Sequence, residues 1–194
     1  MARSYDEKIL DFFAEAGTLK RLKRSGWGMT GSGYEESVAE HSFRCAVIGY
    51  VLSKMEKVDP YEVLMMTLFN DIHEARIGDS HKVAHRYVDV RRAEKKAFGE
   101  QMRVLPDAVS EELSVIRSRH DAQVTPASLV ARDADILECL IQAKEFYDMG
   151  YVKTKKFFTA APRHLKTKSA KRLWKKALKW DSSAWWKDLG KFER

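Results

Sequence analysis

Cysteine, proline and long apolar runs are scarce in this 194-residue chain. Its two cysteines, Cys45 and Cys139, are too few for a disulfide framework, and both sit among apolar neighbours, where free thiols are ordinarily buried. Only four prolines and ten glycines, with 11% aromatic residues, exclude a disordered or low-complexity chain. The longest apolar run, from Cys45 to Leu52, is eight residues, against the roughly eighteen of a membrane span. The first residues, Met1-Ala2-Arg3-Ser4, carry no apolar leader segment, so a cytoplasmic protein is expected. Alternating apolar and polar stretches are missing too, which argues against a sheet.

Charge is plentiful but uneven. The whole chain carries a net +7, with 35 Lys and Arg against 28 Asp and Glu. Residues 151–194 hold 14 of those bases and 3 of those acids, so they carry +11 and the preceding 150 residues carry −4. The basic character belongs to the C-terminal stretch. Such a stretch attracts anions, or forms the solvated face of a terminal helix.

Helix signals run from end to end. Ser4-x-x-Glu7 and Ser37-x-x-Glu40 read as capping boxes. The first opens a pattern of Ile9, Leu10, Phe12, Phe13, Ala16, Leu19 and Leu22; the second opens a helix with Ala46, Val47, Tyr50, Val51 and Met55 on its expected apolar side. Asp59-Pro60 and Thr125-Pro126 place a capping side chain before a proline at the first helical position. The former helix is expected to run through Leu64 and Leu68 to about Ala75, ahead of Gly78, and the latter to about Gly150. Further helices are expected over 89–102, from Pro106 toward His120, and over 167–180 and 182–190. The fold class is all-α: a compact helical bundle in a single domain, with a core over about 5–150 and a basic, tryptophan-rich helical extension over about 151–194. Trp174, Trp180, Trp185 and Trp186 are expected to anchor the terminal helices or a dimer contact.

Four segments put polar residues where a helical core is ordinarily apolar: Arg24-Ser25-Gly26-Trp27, Val38-Ala39-Glu40-His41-Ser42, Asn70-Asp71-Ile72-His73-Glu74, and Arg132-Asp133-Ala134-Asp135. Imidazole and carboxylates drawn from separate helices are how a bundle builds a divalent-metal site. On a helix, Asp71 and Glu74 are three apart and Asn70 and Glu74 four apart, so both pairs share a face. Asp71 interrupts the stripe of Leu64, Leu68 and Ala75 and is expected to point inward. A buried carboxylate requires a partner, and at this point a metal ion and an arginine both remain open. Asp133, turned about 200° from Asp135 around a helix, reads as a surface or supporting residue.

Taken together and in order, these motifs resemble the HD-domain phosphohydrolases, and most closely their 5′-deoxynucleotidase branch. Glu36-Ser37-Val38-Ala39-Glu40-His41 follows Trp27 with the branch's fourteen-residue spacing from tryptophan to histidine. Asn70-Asp71-Ile72-His73-Glu74-Ala75-Arg76-Ile77-Gly78-Asp79 follows its His-Asp-x-x-Glu-x-x-x-Gly-Asp pattern, and Asp135 its last aspartate. The resemblance covers about residues 5–150. It implies a divalent ion (Co²⁺, Mn²⁺, Mg²⁺ or Zn²⁺) held by His41, Asp71 and Asp135 with Asn70 adjoining, and catalysis by Glu74 as proton donor with Asp79 at the substrate. It further implies Arg24 at the phosphate and Trp27 at the sugar of a nucleoside 5′-monophosphate, and a homodimer. Two positions depart from the pattern. Asn70 stands where the family has histidine, and Gly26 stands before Trp27 where some relatives have arginine, with Arg24 two residues further back. His73, three residues after Asn70, offers a replacement imidazole. The rival expectation is a catalytically weakened regulatory scaffold whose basic tail binds nucleic acid or a partner.

Overall fold

The computed structural model describes residues 3–32 and 36–190. Among them the backbone forms eleven α-helices: α1 Tyr5–Thr18, α2 Ser25–Gly28, α3 Val38–Glu56, α4 Pro60–Leu68, α5 Glu74–Ile77, α6 Val90–Met102, α7 Asp107–Ala122, α8 Pro126–Asp148, α9 Lys155–Ala160, α10 Lys168–Ala177 and α11 Ala184–Leu189. Extended pairing among the described residues is confined to one bridge between Lys23 and Ser37. No helix among them is long and apolar enough to cross a membrane.

The caps act where the sequence places them. Ser4 and Ser37 each accept the backbone N–H three residues on, while Glu7 and Glu40 return the contact to the cap backbone. Thr125 does the same with Ser128, and Asp59 accepts from the Tyr61 N–H. The 23-residue α8 is the axis of the bundle, with α3, α4, α7, α9 and α10 packed around it. Val130, Ala131, Ala134, Leu137, Leu140, Ala143 and Phe146 form its buried stripe. A glycine sets the closest approach: a Cβ on Gly49 of α3 would lie 3.0–3.3 Å from Thr67 and Val63 of α4, so only glycine lets these helices touch. A second cluster joins Phe12 and Leu19 to Ile72, Phe98, Met102, Leu105 and Leu113.

Three expectations are corrected. The apolar side assigned to α3 is mostly the wrong one: Val47, Tyr50 and Val51, together with Phe43, are exposed, whereas His41, Ser42, Cys45, Ala46, Gly49, Leu52 and Ser53 are buried. On α1, Leu10 and Phe13 are exposed and Phe12 is buried. The helix opened by Pro60 does not continue to Ala75; it ends at Leu68 and resumes at Glu74. Across the break the amides of Ile72, Glu74, Ala75 and Arg76 bond carbonyls three residues back. Two side chains reinforce the break, Arg117 Nη1 donating to the freed Asn70 oxygen at 2.9 Å and Gln101 Nε2 adding a second bond to that of Ile72 at 3.0 Å. At three residues per turn Asp71 and Glu74 still lie one above the other, but Asn70 and Glu74 do not.

The C-terminal extension is tied to the core by Asp133. This residue is fully buried, and its carboxylate accepts from the backbone N–H groups of Lys166 and Thr167 and from the Thr167 hydroxyl, at 2.6–3.0 Å. Trp174 is buried against Phe158, as a packing anchor would be, whereas Trp180, Trp185 and Trp186 are 39–64% exposed around an open groove of about 750 Å³ at the end of α8. Replacing Asp133 by Ala leaves those donors unsatisfied and is expected to destabilise the protein by about 3 kcal/mol. Urea unfolding measures this, and a loss too small to detect would mean that α10 is held by packing alone.

Candidate metal centre and active site

Three separate elements bring the polar segments together. His41 lies in the first turn of α3, Asp71 in the break between α4 and α5, and Asp135 in the middle of α8. His41 Nε2 is 3.1 Å from Asp135 Oδ1 and 3.5 Å from Asp71 Oδ2. The opposite ring nitrogen, Nδ1, lies 2.5 Å from Glu138 Oε2, and Glu138 is fully buried one turn beyond Asp135. Arg44, one turn after His41, holds Glu138 Oε1 through Nε and Nη2 at 2.9 and 2.7 Å, and also reaches Gln142 and Glu145. Glu138, Gln142 and Glu145 recur at helical spacing along α8, so one stripe fixes both His41 and Arg44.

Above this floor sits Arg24, whose Nη1 is 3.6 Å from Asp71 Oδ2. It is placed by the chain entry into α2: its backbone N–H donates to the Glu36 carbonyl at 2.9 Å, and the next N–H, of Ser25, donates to the Asp79 carboxylate. Glu74 is close enough to feel the charges of Asp71 and Asp79, and its Oε2 is buried with no hydrogen-bond partner. Trp27 packs into the core instead, 3% exposed, with its ring against Phe146 and Phe157 and its indole N–H donated to Glu36 Oε2 at 2.7 Å.

Asn70 lies beside the cluster, its Nδ2 donating to Asp71 Oδ1 at 2.7 Å. His73 does not take the place of the missing imidazole. It turns toward α6 and α7, 3.8 Å from Glu94, with Arg117 Nη1 3.2 Å from its Nδ1. His120 does come near: with Asn70, Arg117 and several apolar residues it lines a cavity of about 10 Å³, and burial holds its pKa below the usual imidazole value.

The electrostatics sort these groups by role. Burial opposes a charge on His41, yet the hydrogen bonds to Asp135 and Glu138 push its pKa up to about 10. Burial likewise opposes the Asp135 carboxylate, but the His41 contact and Arg24 bring it down to about 2. A proton is therefore held between carboxylates where a cation is wanted. Burial, reinforced by Asp71 and Asp79, raises the Glu74 carboxyl to about 9 and keeps it protonated at neutral pH. Burial, with the charge of Glu138, raises Glu36 to about 7 against the pull of the Trp27 N–H.

The donor set fits a divalent ion. One imidazole nitrogen and two carboxylates converge, and the other imidazole nitrogen is oriented by a carboxylate that is itself held by arginine, the support that histidine ligands ordinarily have. An ion at Nε2 would displace the proton now shared with Asp135 and leave the Glu138 contact intact.

The HD domain family model matches residues 16–175, most of the chain and part of α10. This chain belongs to the HD domain family. The 5′-deoxynucleotidase HDDC2 of Dictyostelium discoideum is 31% identical to this HD-domain chain over 147 residues, 71% of this chain and 76% of that protein. Among solved structures, the PH0347 protein of Pyrococcus horikoshii OT3 has a TM-score of 0.75 at 27% identity, covering 88% of this chain and 96% of that one. The cyanophage S-2L HD phosphohydrolase DatZ, solved with dA and one catalytic Zn²⁺ ion, shares the fold with a TM-score of 0.55 at 15% identity, over 86% of this chain and 95% of that chain.

Glu138, Arg44, Glu36 and His120 were not singled out as site residues by sequence reasoning. Glu138 and Arg44 had a readable signal, each lying three residues after a predicted ligand on the same helix face. His120 had none, because the approach of α7 to Asn70 is a tertiary fact.

Proposed function

We propose that this HD-domain chain is a metal-dependent phosphomonoesterase that removes phosphate from deoxynucleoside 5′-monophosphates. The observation that carries the reading is the meeting of His41, Asp71 and Asp135 from three separate elements, with the Arg24 guanidinium at Asp71 and a buried Glu74 oxygen that has no hydrogen-bond partner. His41, Asp71 and Asp135 would hold a divalent ion, which would acidify a water and polarise a phosphoryl oxygen. Arg24 has a planar fork suited to the remaining phosphate oxygens, and a phosphate takes over its charge from Asp71. Glu74 holds the proton that the leaving 5′ oxygen needs. Asp79 acts twice, fixing the Ser25 amide so that Arg24 faces the site and keeping Glu74 protonated through its charge. Trp27, buried and bonded to Glu36, supports the Arg24 turn from the core rather than meeting the sugar.

Phosphate release from a panel of ribo- and deoxyribonucleoside mono-, di- and triphosphates tests the reading, with the protein metal-free and then supplied with Mg²⁺, Mn²⁺, Co²⁺ or Zn²⁺. Metal-dependent release from 5′-monophosphates, faster with deoxyribose, is the expected result. Silence on every substrate, with salt-sensitive oligonucleotide binding, would favour the regulatory scaffold.

The same chain is proposed to pair with a second copy through α3. Its exposed stripe of Phe43, Val47, Tyr50 and Val51 is bounded by Glu40 and Lys54, each seven residues from Val47. An antiparallel pairing centred on Val47 sets Glu40 against the partner's Lys54, so the face complements itself about a twofold axis. Val47→Glu puts like charges on that axis and is expected to yield monomers in analytical ultracentrifugation with the fold intact. A wild-type monomer, or an undisturbed dimer of the variant, would refute this face.

A further inference from the structure

One side chain beside the metal centre has no place in the HD-domain ligand pattern. Cys45 follows His41 by one turn of α3 and is 2% exposed. Its Sγ, a ring nitrogen of His41 and a carboxylate oxygen of Asp135 all lie within 4.8 Å of one another. Four ligands around one tetrahedral ion, at about 2.0–2.3 Å from it, are separated by roughly 3.3–3.8 Å. Small side-chain rotations therefore bring these three atoms onto a common ion. The chemistry of the remaining ligands makes such a donor consequential. Asn70 offers a neutral amide where imidazole is expected, and that amide donates to Asp71 rather than standing free. The set has an amide in place of one nitrogen, and a sulfur lies within reach of two of its other donors.

We propose that Cys45 is an additional protein ligand of the ion, so that the centre prefers Zn²⁺ or Co²⁺ over Mg²⁺. This rests on the divalent-ion reading above. A thiolate is a soft donor that binds Zn²⁺ and Co²⁺ well and Mg²⁺ poorly, whereas the carboxylates alone do not discriminate in that direction. As the sulfur–metal bond forms, the thiol proton leaves to solvent and no electron is transferred. Cys139, one turn beyond Asp135 on α8, belongs to no such donor group among the described residues and serves as the internal control.

The test uses the full chain loaded with Co²⁺, whose absorption reports a bound thiolate as an intense near-ultraviolet charge-transfer band. The wild type and Cys139→Ala should show the band. Cys45→Ala should bind Co²⁺ without it, and its affinity for Zn²⁺, measured against a competing chelator, should fall about 10²-fold while that for Mg²⁺ is unchanged. Cys45→Val, closer in volume, repeats the measurement should alanine unsettle the core. Co²⁺ bound by the wild type with no such band overturns the role of Cys45 and leaves the metal centre standing. A band that survives Cys45→Ala overturns it as well. Failure of the wild type to bind any divalent ion overturns the metal reading itself.

Discussion

Asp71→Ala is expected to abolish both divalent-ion binding and phosphate release, lowering turnover by about 10³-fold or more. Asp71 is the hinge of the site. One oxygen faces His41 Nε2 and Arg24, while the other accepts from Asn70. Without it, two ligands from α3 and α8 remain, and Arg24 loses the carboxylate that holds it in place. Because the ion joins three separate elements, its binding adds stability by linkage. Chelation should therefore lower the melting temperature of the wild type and leave that of Asp71→Ala unmoved. Metal content by elemental analysis, melting curves with and without chelator, and phosphate release together check the assignment. An unchanged wild-type melting curve after thorough chelation would overturn the metal assignment, and metal still bound by Asp71→Ala would remove Asp71 from the ligand set.

Glu74→Gln is expected to reduce kcat by about 10²–10⁴-fold, the usual range for a lost proton donor, with bound metal per chain unchanged. In the metal-free chain burial and the charges of Asp71 and Asp79 raise this carboxyl to about 9, so the acid is loaded at neutral pH and is emptied as pH rises through its pKa; an ion at Asp71 shifts that pKa downward but leaves the direction of the limb unchanged. Turnover of the wild type should fall on the alkaline side for that reason, and the residual turnover of Glu74→Gln should lose that limb. Stability follows the same sign. The metal-free folded chain keeps a proton that the unfolded chain releases near the ordinary carboxyl value of about 4.3, so Glu74 erodes stability from there up toward 9. Above that, both states are ionised and its contribution no longer changes with pH. Over the same window Glu74→Gln should flatten the dependence. Loss of metal together with activity would make Glu74 a ligand, and an alkaline limb that persists in the variant would assign it to another group.

The sequence by itself determined the helical class and the helix starts, and it singled out most of the polar residues that the candidate site brings together. Capping at Ser4, Ser37, Asp59 and Thr125 is local, because a side chain meets an amide two or three residues away, and each cap forms where the sequence places it. His41, Asp71, Glu74 and Asp135 were legible as polar interruptions of apolar patterns, in an order and spacing that resembles a known family. Tertiary structure decided what those patterns pack against. On α3 apolar residues occur on both sides, and the buried side is the one carrying Cys45, Gly49, Leu52 and Ser53, with α4 approaching most closely at Gly49. The α4–α5 break is reinforced by Arg117 and Gln101, which reach in from α7 and α6 to bond the Asn70 and Ile72 carbonyls. Asp133 reads as a surface or supporting residue, and only the fold shows what it supports, the three donors of Lys166 and Thr167 at the start of α10. The Glu138–His41 contact, the approach of Cys45 to Asp135 and the proton on Glu74 likewise depend on distances between α3, α5 and α8. Local hydrogen bonding is written in neighbouring residues; desolvation and charge proximity exist only once helices distant in sequence have met.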